Sequence, residues 1–123
     1  MPVPESSCTR GHNAETAACE YLEKSGLKTI ARNFRGRYGE IDLVMQDRLL
    51  IVFVEVRYRS NNSRLDAVET IDTNKCNRII KTAMQFMQTL RDPDSHGYRF
   101  DVVTVCGSLD NPVFDWIQDA FQA

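Results

Sequence analysis

The stretch GEIDLVMQDRLLIVFVEVRYR, Gly39 to Arg59, decides how this chain folds. Two apolar runs flank a polar break, QDRL at 46–49, and such a pattern reads as an antiparallel hairpin with strands Gly39 to Met45 and Leu50 to Tyr58. LLIVFV, 49–54, is apolar at every position, so the second strand needs cover on both faces and belongs in the middle of a sheet. Core strands normally exclude charge. Here Glu40 and Asp42 sit on the first strand, and Glu55 and Arg57 end the second.

Side chains alternate along a strand, so Glu40 and Asp42 share one face, as do Glu55 and Arg57. A two-residue turn at Asp47 and Arg48 pairs Met45 with Leu50, Asp42 with Phe53 and Glu40 with Glu55, and brings all four charged residues to one face; a turn one residue longer breaks that registry. Carboxylates gathered beside apolar strands repel one another and are costly to desolvate unless a cation neutralises them. A hard divalent ion, Mg²⁺ or Mn²⁺, suits oxygen ligands and could activate water while Arg57 stabilises developing charge. The spacing equally allows an ion-pair network at a sheet edge, Glu55 with Arg57 or Arg59 and Glu40 with Arg37.

Outward from the hairpin, residues 1–12 show no periodicity and read as a mobile N-terminal leader, followed by a single domain, 13–123. Small or apolar residues at Ala14, Ala17, Ala18, Tyr21 and Leu22 form one helical face, with Asn13 as N-cap and Gly26 as stop. LKTIARNFR is a short strand. SNNSRLDAVETI, 60–71, reads as a polar loop. A second helix runs from Asp72 or Thr73 to Leu90 with Ile79, Ile80, Ala83, Met84, Phe86, Met87 and Leu90 as its apolar stripe, its methionines filling core gaps. YRFDVVTVC, 98–106, is a strand, and PVFDWIQDAFQA is expected to start as a strand and turn helical. The order predicts an α/β domain with a central mixed sheet, an antiparallel hairpin within it and helices on its faces.

At 123 residues, with 42% hydrophobic and 26% charged, the chain has the make-up of one globular domain. No run reaches the roughly 18 apolar residues of a membrane span, and the N-terminus lacks a signal-peptide pattern, so the expected location is the cytoplasm and no membrane partner is expected. Cys8, Cys19, Cys76 and Cys106 lack metal-ligand spacing and read as reduced packing thiols. His12 and His96 stand without paired ligands. No nucleophile elbow and no glycine-rich phosphate loop occurs, RGRYGE at 35–40 matching neither nucleotide fingerprint, which excludes NTPases, kinases, dehydrogenases and serine hydrolases. Net charge is −2, but residues 24–81 carry 12 Lys or Arg against 7 Asp or Glu, whereas both ends are acidic. That asymmetry is either a patch for phosphates or an unevenly solvated surface.

The two motifs GEIDL and FVEVRYR, with RFDVV at 99–103, resemble the YraN-like family of small bacterial proteins, itself similar to Holliday-junction resolvases and the restriction-endonuclease-like PD-(D/E)xK nucleases. The resemblance covers about residues 10–121. It implies a restriction-endonuclease-like fold and a divalent ion, Mg or Mn, held by Glu15 from the first helix with Asp42 and Glu55. It puts Arg57 at the usual lysine place, where arginine can hold charge but essentially never acts as a base. Lys75 matches a lysine of the YraN-like pattern and could reach the same site, or remain a solvated helix lysine. Arg99 and Asp101 are expected to pair locally, and Glu20 and Glu23 to stay on the surface.

The expected function is a metal-dependent endonuclease acting on DNA, branched or structured forms included, with Asp42, Glu55, Arg57 and Lys75 as catalytic residues. Phosphate contacts are expected from Arg35, Arg37, Arg57, Arg59, Arg64, Lys75, Arg78 and Lys81. By resemblance to resolvases, which cut two symmetric strands, a homodimer is expected. Two other readings stay open: a nucleic-acid-binding module of the same fold that does not cut, and a protein-interaction adaptor using the acidic C-terminal segment.

Overall fold

The structure, a computed structural model, describes residues 10–59 and 71–123, with side chains from residue 13 onward. The first nine residues of the expected leader, and the expected loop from Ser60 to Thr70 with Arg64 in it, lie outside the described residues. The elements are α1 (Arg10–Lys24), β1 (Lys28–Arg35), β2 (Glu40–Asp47), β3 (Leu50–Arg59), α2 (Thr73–Met87), a 3-10 turn (Pro93–Ser95), β4 (Gly97–Cys106) and β5 (Val113–Phe121).

The five strands form one mixed sheet in sequence order. Neighbours are antiparallel except β3 and β4, which run parallel and are joined in sequence through α2. The all-apolar β3 is central, as its two-sided hydrophobicity requires. Its alternate residues divide between two cores. Val52 and Val54 pack with Ala14, Ala18 and Leu22 of α1, whose alanines let the helix lie close to the sheet. Ile51 and Phe53 pack with Ile79, Ala83, Phe86 and Met87 of α2. One α/β sheet with a helix on each face matches the expected class and is compatible with a restriction-endonuclease-like fold.

Several boundaries differ from expectation for local reasons. Helix α1 begins at Arg10, so Asn13 lies within it and is not its cap; at the other end Gly26 (φ +106) takes the left-handed position, and the Leu27 N–H donates to the Leu22 carbonyl at 3.1 Å. The C-terminal segment is strand to Phe121 and does not turn helical: β5 pairs with β4 from Val113 to Phe121, and that ladder outweighs any helical tendency there. The hairpin turn is Arg48–Leu49, one residue later than expected, because Asp47 pairs with Leu50. Arg48 adopts φ +59, and Gln46 Nε2 donates to the Arg48 carbonyl at 2.8 Å, closing the turn there.

That turn shifts the register by two residues. Leu43 pairs with Val54, so the next step along the strands sets Asp42 beside Glu55, where Phe53 had been expected. An even shift preserves which face each residue takes.

Candidate active site

The regular β2–β3 ladder stops at Leu43 and Val54. Beyond it the alternation of β2 breaks. Ile41 belongs to the core under α2, whereas Leu43, two residues on, belongs to the core under α1. The simple rule that puts Glu40 and Asp42 on one face therefore fails at Asp42, which turns toward β3: its Oδ2 accepts the Val56 N–H at 2.8 Å. A carboxylate thus stands where a ladder bond would continue.

The carboxyl of Asp42 is pushed up to about 8, first by burial, next by the charge of Glu55, and further by Glu15, with the Val56 hydrogen bond pulling the other way. Glu15 comes from α1 and is near enough to hydrogen-bond with Asp42. Its Oε1 accepts from Asn33 Nδ2 at 2.7 Å, and Asn33 holds φ +51 within β1, a conformation Asn tolerates better than most residues. Asn33 was not anticipated as a positioning residue; the only signal was an Asn inside an otherwise ordinary strand pattern.

Glu55 is 6% exposed. Lys75 Nζ reaches its Oε2 at 2.8 Å, and Arg57 Nε stands 3.3 Å from the same oxygen. Arg57 Nε is buried and has no hydrogen-bond partner among the described residues, so that ion pair is out of line for a hydrogen bond. Lys75 leaves the first turn of α2, where Asp72 Oδ1 caps its backbone N–H at 2.7 Å. Lys75 is thus ion-paired with Glu55 while its side chain stays 37% exposed.

These groups border a cleft of about 250 Å³ lined by Gly39, Glu40, Asp42, Glu55, Lys75, Arg78 and Ile79. The oxygen donors and the raised Asp42 carboxyl suit a hard divalent cation chemically. Among the described residues, however, no group of three His, Cys, Asp or Glu side chains stands at metal-holding distances.

The remaining expected residues divide by position. Arg78 lines the cleft, and Arg37 and Lys81 are exposed on the adjoining β1–β2 turn and α2. Arg35 pairs with Glu40 at 3.1 Å, in place of the Arg37 considered for that carboxylate. Arg59 is partly buried and donates to the Tyr58 carbonyl. The Arg99–Asp101 pair forms at 2.9 Å, and Asp101, fully buried, also accepts from Trp116 Nε1 and the Asp119 N–H, which ties β4 to β5 at a register shift. Its role is structural. Cys19 and Cys106 are buried free thiols, Cys76 a partly buried one. Glu20 and Glu23 are exposed. No described helix is long and apolar enough to cross a membrane.

The family model of the uncharacterised protein family UPF0102 matches residues 14–105, spanning α1 to β4 and every carboxylate of the cleft. The chain belongs to UPF0102. A UPF0102 protein of Pseudomonas aeruginosa (strain LESB58) is 45% identical over 125 residues, covering all of both chains. One from Coxiella burnetii (strain RSA 493 / Nine Mile phase I) is 43% identical over 112 residues, 91% of each chain. One from Nitrosococcus oceani is 38% identical over 119 residues, 97% of this chain and 96% of the relative. Membership in UPF0102 bears out the YraN-like resemblance.

Proposed function

We propose that this UPF0102 chain is a metal-dependent endonuclease that hydrolyses phosphodiester bonds in DNA. The observation that carries the reading is Asp42: a carboxyl raised to about 8, turned into a break between β2 and β3, with Glu55 and Glu15 beside it and Lys75 on Glu55. Burial together with a specific charged neighbour in a cleft is the arrangement by which catalytic sites shift their acids. Asp42, Glu55 and Glu15 do not stand at metal-holding distances and would have to draw together around Mg²⁺ or Mn²⁺, which when bound supplies a polarised water and neutralises phosphate charge.

The chain's own residues supply the rest. Lys75 orients the attacking water from the α2 side of the cleft. Arg57, permanently charged and 3.3 Å from Glu55, lends its positive field to the charge developing on a phosphate oxygen. Arg78 and Lys81 hold the flanking backbone by phosphate contacts. A homodimer fits the same reading, two sites cutting two strands of a branched substrate.

A second reading is favoured by Glu55 itself. With Lys75 and Arg57 both at one oxygen, its charge is already compensated, which suits a DNA-binding module that does not cut.

Duplex, single-stranded, flap and four-way-junction DNA, incubated with Mg²⁺ or Mn²⁺ and resolved on gels, separates the two. Metal-dependent cutting that is lost in Asp42→Asn and Glu55→Gln is expected. Salt-sensitive binding without cutting of any substrate sinks the nuclease reading and keeps the binding module.

A further inference from the structure

The segment RGRYG, Arg35 to Gly39, matched no nucleotide fingerprint, yet it leads into the cleft, which its last residue, Gly39, lines. It is a tight turn clamped onto α2. The Gly36 N–H donates to the Gly39 carbonyl at 2.8 Å, and the Arg37 N–H donates to Gln85 Oε1 at 2.8 Å. Gly36 lies so close to α2 that a β-carbon there would displace Gln85 Oε1, the acceptor of the Arg37 N–H, so glycine keeps that clamp in place. The helix that clamps the turn is the one that sends Lys75 and Arg78 into the cleft.

What this rigid turn presents is Tyr38, 43% exposed, with Lys81 Nζ 5.2 Å from its ring centroid. A single exposed aromatic is ordinary on a protein surface. Tyr38 differs in company and in address: Arg37 precedes it, Lys81 covers one side of the ring, and Gly39 and Glu40 lead directly into the wall shared with Asp42 and Glu55. A solvent-facing aromatic ring among cations, beside a phosphate-cleaving site, has the chemistry of a nucleobase stacking platform.

We infer that Tyr38 stacks on an unpaired nucleobase of the DNA strand entering the cleft, with Arg37 and Lys81 on the flanking phosphates. The inference rests on the reading of this face as a DNA site and narrows the substrate class to DNA with an unpaired segment at the cleft. Bases inside a duplex have both faces covered by their neighbours, so a side-chain ring finds a free face only where pairing is interrupted. Because the turn is held by α2 before any ligand arrives, little ordering cost opposes the stack.

The test is equilibrium binding, by fluorescence anisotropy, of a labelled single-stranded oligothymidylate and a duplex of equal length in EDTA, where cutting is off. The parent is expected to prefer the single strand. Tyr38→Ala should weaken single-strand binding by about tenfold, the typical loss of one base–aromatic stack, and leave duplex binding unchanged. Tyr38→Phe, which keeps the ring, should retain the single-strand affinity. Equal weakening on both probes, no weakening on either, or a parent that binds no single strand overturns the inference. Cutting by the parent with single-strand affinity unchanged in Tyr38→Ala removes this inference and leaves the nuclease reading; Tyr38-dependent binding by a parent that cuts nothing does the reverse.

Discussion

A carboxyl group held at about 8 between two other acids takes up either a proton or a cation, and pH chooses between them. Asp42 is raised from 3.8, so without metal its protonated form favours the folded state; that contribution is fully present below about pH 4 and is lost as pH climbs through about 8. The metal-free protein should therefore lose thermal stability across that window. Asp42→Asn, which cannot ionise, should show a flatter profile and become the more stable of the two at the alkaline end. Added Mn²⁺ should raise the melting temperature of the parent increasingly as pH rises, since the ligand must be deprotonated, and leave Asp42→Asn unmoved. Differential scanning fluorimetry over pH measures all of this, and parallel profiles for the two proteins would remove the site.

The first turn of α2 matters out of proportion to its length, because Lys75 reaches Glu55 from it. Asp72 stabilises that turn by accepting the Lys75 N–H at 2.7 Å. Asp72→Ala should cost about 1 kcal/mol of stability, the usual worth of such a cap, read as a lower urea midpoint at unchanged slope. It should also reduce metal-dependent cutting beyond what the stability loss explains, since Lys75 loses its anchor. A stable variant with full activity would show that Glu55 alone positions the lysine. The same helix seats the Gly36–Gly39 turn, so one element organises both the base of the cleft and its rim.

Charge is distributed unevenly over the molecule. Among the described residues, Arg37, Arg78 and Lys81 are exposed basic groups near the cleft, whereas Arg35 is paired with Glu40 and Arg57 lies at Glu55. Plotting log affinity for DNA against log salt, Arg78→Ala should flatten the slope by about one phosphate contact. Arg35→Ala should flatten it less, because Glu40 already compensates that charge. Equal effects of the two would mean that the cleft side of the surface is not distinguished from its edge.

Much of this was legible from local rules. The unbroken apolar run of 49–54 placed β3 at the centre, the stripe from Ile79 to Met87 placed α2 against the sheet, and GEIDL with FVEVRYR pointed to Asp42 and Glu55. The placements of β3 and α2 survive because burial periodicity is written residue by residue. The hairpin register was not legible: a side-chain bond from Gln46 and a left-handed Arg48 moved the turn one residue, and that decided that Asp42 lies beside Glu55. Nor could alternation announce its own failure at Asp42, since the break comes from Ile41 and Leu43 being claimed by different helices. Lys75 at Glu55, Asn33 at Glu15 and Gln85 at the Gly36–Gly39 turn join residues 20, 18 and 48 positions apart, respectively, with no shared period. Sequence by itself determined β1 to β4, the two helices and the family, because those follow from local composition and pattern; only pairing with β4 kept the C-terminal segment a strand to Phe121, and only the packing of α1 and α2 on opposite faces decided where the charged groups meet.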